Sequence, residues 1–107
     1  PADPALFRQL RAVVALDPAF HPALRYAATY YATVARDLGA AHALCDQALR
    51  FRPTAAYPYV LKAVLELGYA ERPDREAVRR WLARARTNGA RAPWVERLRH
   101  RLAEQAP

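Results

Sequence analysis

The stretch "AHALCDQALRFRP" (residues 41–53) sets a small residue at 41, a cysteine four positions on, an alanine seven on and a proline twelve on. Ala41, Leu44, Cys45, Ala48 and Leu49 recur at spacings of three and four, so they form one stripe on a helix. The pattern returns on either side. "LFRQLRAVVALDP" (6–18) carries Leu6, Leu10, Val13 and Pro18, and "AVRRWLARARTNG" (77–89) carries Ala77, Trp81, Arg84 and Gly89. The offsets are 35 and 36 residues, the length of one helix–turn–helix unit in a repeat array. Cys45 is therefore read as a small core residue at a repeat position.

Working outward, the periodicity predicts six helices and no strand. The first runs from about Pro4 to Leu16, with Asp3 as N-cap and Leu6, Leu10, Val13 and Val14 inward. The second spans about Pro22 to Leu38, with Leu24, Ala27, Ala28, Tyr31, Val34, Ala35 and Leu38 buried; Gly39 is expected to break it. The third is Ala40 to Arg50. Pro58 is tolerated only in a first turn, so the fourth starts near Ala55 or Ala56, with Tyr57, Val60, Leu61, Val64 and Leu67 inward. The fifth, from about Asp74 to Thr87, buries Ala77, Val78, Trp81, Leu82 and Ala85 and ends at an Asn-Gly stop. The last, from about Pro93, turns Trp94, Leu98 and Leu102 inward and presents a charged back, as a terminal helix needs.

At Ala41, Cys45, Ala48 and Pro53, and at the turn "ALDPAF" (15–20), the chain resembles the tetratricopeptide repeat family. The resemblance implies an all-α, right-handed solenoid of antiparallel helix pairs in one domain. Its parts would be a partial repeat (4–18), two repeats (22–53 and 55–89) and a capping helix (93–105). It also implies that the first helix of each pair lines a concave face that holds a protein or peptide segment. On that face the expected residues are Tyr26, Tyr30 and Thr33 from one pair and Tyr59, Lys62 and Glu66 from the next. Tyrosines suit such a surface, because they bury large area at low entropic cost and keep a polar tip. Only Lys62 matches the family's basic clamp for a C-terminal carboxylate, so that specificity is not expected.

Composition bounds the function class. With 53% hydrophobic residues among 107, the chain has material for a core, and no apolar run approaches the roughly 20 residues needed to span a bilayer. Serine is absent, which removes the commonest hydrolase nucleophile. A lone cysteine forms no internal disulfide, and His21, His42 and His100 show no ligand spacing with it. His42 and Cys45 lie one turn apart, but a thiolate needs exposure and an orienting group. No glycine-rich phosphate loop is present. The expectation is a protein without catalysis, metal or cofactor: an interaction scaffold or adaptor, a subunit of a larger assembly. A membrane anchor upstream of Pro1 would suit it.

The competing expectation rests on charge. Sixteen of 17 basic residues are arginine and the net charge is +7. Residues 71–107 hold ten arginines against five acids. Arg79, Arg80 and Arg84 crowd one helix, and Arg97, Arg99 and Arg101 the next. Such a patch would meet an acidic protein, an anionic lipid surface or, less readily, nucleic acid, which usually demands aromatics among the basics. GC-rich coding accounts equally well for an Arg, Ala and Pro bias.

Overall fold

The computed structural model describes residues 4–90 and 92–104, apart from the side chains of Ala92, Trp94 and Val95. Among them are six helices and no strand: α1 (Pro4–Leu16), α2 (His21–Thr33), α3 (Leu38–Phe51), α4 (Tyr57–Tyr69), α5 (Arg75–Thr87) and α6 (Ala92–Glu104). The expected cap at Asp3 and the inward position of Trp94 lie outside the described residues.

Local chemistry explains most of the boundaries. Asp74 caps α5 by accepting the Ala77 N–H at 3.0 Å, and Asp37 caps α3 by accepting the Ala40 N–H at 2.9 Å. Pro22 and Pro58 fall in the first turns of α2 and α4, where a missing N–H loses no helical bond. The second helix differs from expectation. It stops at Thr33 rather than Leu38, and Gly39 is not the break but part of α3. The Asp37 cap starts the next helix two residues before that glycine. The chain turns through Arg36, which takes a left-handed φ of 52°. Val34 is consequently 46% exposed, and Ala35 is exposed too.

Packing is consecutive, with two additions. Each helix touches its chain neighbours, and α4 also rests on both α2 and α6. One core cluster joins Val14, Leu24, Ala27, Ala28, Ala41, Leu44, Cys45 and Ala48 to Leu61 and Leu65 of α4. The second joins Val60, Ala63 and Leu67 of α4 to Val78, Leu82, Ala85, Leu98 and Leu102. Alanine dominates the first cluster, so those helices approach closely and each contact buries little area. Ala23 and Ala32 are buried beside the expected stripe, whereas Leu6 is exposed. Four helices surround α4, and that position shapes the candidate site.

Candidate functional site

Two i, i+4 polar pairs face each other across α3 and α4: His42 with Asp46, and Lys62 with Glu66. Lys62 Nζ donates to Asp46 Oδ1 at 2.6 Å, and His42 Nε2 lies 2.9 Å from Glu66 Oε1. A carboxylate only accepts, so Nε2 carries the proton and donates. The numbering rises along α3 as it falls along α4, the register of an antiparallel pair. The second oxygen of Glu66 accepts the Asp74 N–H at 2.9 Å, tying α4 to the residue that caps α5. From α5, Trp81 covers the cluster; its ring lies 4.7 Å from Lys62 Nζ and 5.1 Å from the His42 ring. Lys62 and Glu66 are each only 9% exposed. They are thus interior groups, not the open concave positions expected from the sequence. The signal was present as two complementary pairs at helical spacing, but nothing local says that they meet.

The tyrosines divide as well. Tyr30 stacks on Phe7 of α1, with centroids 4.0 Å apart, and Tyr26 lies 6.5 Å from Tyr30. Both are half-buried. Tyr59 packs with the second core cluster, and the Arg84 guanidinium sits 5.9 Å over its ring. Residues expected in two separate surfaces, Tyr59 and Arg84, are therefore brought together. Tyr30 is tied to Phe7 on α1 and Tyr26 to Tyr30, while Lys62 is tied to α3 and Trp81, so no ring contact links the expected strip end to end. Thr33 is exposed; its hydroxyl donates to the Thr29 carbonyl, and it lines a shallow depression with Arg36, Leu38, Tyr69 and Glu71.

The inner helices leave a different opening. Between α2 and α4 lies a groove of about 370 Å³, lined by His21, Pro22, Arg25, Tyr57, Val60, Leu61 and Val64. The His21 and Tyr57 rings stack at 4.3 Å and close one side of it. Burial raises the Tyr57 hydroxyl above its usual range, against the lowering effect of Arg25, so it stays a neutral donor. Among the described residues no acidic side chain lines the groove. Sequence reading counted Tyr57 and Val64 as core, weighed His21 only as a metal ligand and gave Arg25 no role in a site. Their signal was the repeated pair His21-Pro22 and Tyr57-Pro58, 36 residues apart.

The basic patch sits on α5 and α6. Arg79, Arg80, Arg84, Arg97, Arg99 and Arg101 are all exposed. Arg79 pairs with Glu76 at 2.5 Å and Arg99 with Glu96 at 3.5 Å, each one turn apart on its own helix.

Cys45 is fully buried, and the loss of solvent pushes its thiol up to about 12. At neutral pH it is a protonated core group, unsuited to nucleophilic work. Among the described residues no group of three or more His, Cys, Asp and Glu side chains is placed to hold a metal ion. No described helix is long and apolar enough to cross a membrane. Comparison of the chain with protein-family models, curated proteins and solved structures finds no match.

Proposed function

We propose that this chain is a non-catalytic protein-interaction module, a short array of helix pairs of the tetratricopeptide kind, serving as a scaffold or adaptor. The observation that carries the reading is the α2–α4 groove. It is open and largely apolar, and it is walled by the first helices of two successive pairs. Val60, Leu61 and Val64 offer an aliphatic floor, while Tyr57 and Arg25 supply donors at the edge. A partner segment with an aliphatic side chain beside a carbonyl or carboxylate would satisfy both. The buried cluster of His42, Asp46, Lys62 and Glu66 then has a supporting role, fixing α4 between α3 and α5.

A displayed library of random peptides, selected on the intact chain, tests this. The enriched peptides should lose about tenfold in affinity with Tyr57→Ala or Val64→Asp, some 1–2 kcal/mol for an anchor position. Tyr30→Ala, which removes a stack on α1, should leave binding unchanged. The proposal fails if selection enriches nothing, or if the enriched peptides ignore both groove substitutions.

A further inference from the structure

A second groove, of about 380 Å³, runs between α5 and α6, on elements that do not line the first. Its lining is Arg75, Arg79, Leu82, Arg99, Leu102 and Ala103. Leu82 and Leu102 are almost fully buried and form the floor, so the accessible rim is made by the three arginine side chains and Ala103. Arg75 and Arg79 lie one helical turn apart on one wall, and Arg99 stands on the other. Among the described residues no carboxylate lines the groove. Arg79 and Arg99 hold Glu76 and Glu96 as exposed one-turn pairs, which a better-placed carboxylate displaces at little loss. Arg75 has no carboxylate within ion-pair distance among the described residues. The two helices carry eight arginines against three glutamates, so the surrounding field also draws anions.

We propose that this groove docks an acidic segment of a partner protein, with successive carboxylates gripped by Arg75 and Arg79 from one side and Arg99 from the other. Guanidinium suits that task, since its planar fork bonds a carboxylate through two donors at once. Two other anionic surfaces fit less well. Single-stranded nucleic acid wants aromatic platforms among the basics, and among the described residues no aromatic lines the groove. A membrane surface wants protruding apolar groups beside the cations. Among the described side chains, the large apolar ones that are exposed, Leu6, Leu16, Phe20, Val34, Phe51 and Tyr69, lie outside α5 and α6.

The test uses the intact chain and a fluorescent peptide of about a dozen residues, rich in Glu and Asp with Leu interspersed. The control peptide carries Gln and Asn instead. Fluorescence anisotropy should show binding of the acidic peptide alone, weakening several-fold as salt rises from about 0.05 M to about 0.3 M. The triple variant Arg75→Gln, Arg79→Gln, Arg99→Gln should lose at least about tenfold. A second triple, Arg80→Gln, Arg86→Gln, Arg101→Gln, removes the same charge outside the groove and should stay within about threefold of wild type. Circular dichroism confirms that both variants are folded, and Arg75→Gln alone, with a smaller loss in the same direction, serves if the triple is not. Equal losses in the two triples would overturn the site in favour of diffuse net charge. Tighter binding of a single-stranded oligonucleotide, or of phosphatidylserine vesicles, than of the peptide would overturn the choice of partner.

Discussion

Lys62 and Asp46, sixteen residues apart on adjacent helices, meet with Nζ 2.6 Å from Oδ1, under the face of Trp81. The lysine side chain is 11% exposed and the aspartate 45%, so the pair is dry at one end and wet at the other. Removing the buried partner leaves the aspartate able to rehydrate, whereas removing the aspartate strands an ammonium with only an indole face.

The asymmetry has a measurable consequence. Asp46→Ala should destabilise the fold by about 2–3 kcal/mol and Lys62→Met by about 1–2 kcal/mol. The double variant Asp46→Leu, Lys62→Met should be no worse than the first single one. Urea unfolding of all three checks this, and equal effects of the two single substitutions would mean that the pair is solvated throughout.

The buried thiol makes stability depend on alkaline pH. Its folded value, about 12, lies above the thiol's ordinary value of 9.0. The folded state therefore keeps its proton where the unfolded chain loses it. The thiol's full contribution is present below pH 9.0 and is lost as pH rises towards about 12. At about pH 10.5 the wild type should have lost roughly 2 kcal/mol relative to Cys45→Ala, both referenced to neutral pH. Parallel stability curves for the two proteins would refute the burial of Cys45, as would labelling of native protein by a thiol reagent at the unfolded rate.

Close helix approach at Ala48 tests the packing register. Ala48 is fully buried, as is Ala41 two turns away on the same face of α3. Ala48→Leu should overpack the α3 contact and cost about 1–3 kcal/mol, seen as a lower thermal midpoint by circular dichroism. An unchanged melt would mean that the alanine faces space it does not fill.

At Arg36 the chain pays for its turn with a left-handed residue that bears a Cβ. Arg36→Gly should relieve that strain, partly offset by the greater freedom of glycine in the unfolded chain. The net expectation is a gain of about 0.5–1 kcal/mol in urea unfolding. A loss of that size would show that the turn depends on the arginine side chain.

The extents of α1 and α5 were legible because both are local matters: an apolar stripe at spacings of three and four, opened by Pro4 in one case and by Asp74 in the other. Gly39 misled for an equally local reason. A glycine resembles a stop, yet Asp37 offers the stronger signal by capturing an orphan N–H, and the helix begins there. The sites were less legible. His42, Asp46, Lys62 and Glu66 are separable as surface charges until α3 and α4 lie antiparallel, when each finds its complement.

By itself the sequence determined an all-helical chain, the segments that form its helices and the residues that share each face. Tertiary structure decided which of those faces met another helix. For α4 it buried the polar face of Lys62 and Glu66 between α3 and α5, and left Tyr57 and Val64 on an open groove against α2. Periodicity states which side chains point the same way, but burial depends on how many neighbours stand there, and those neighbours come from distant parts of the chain.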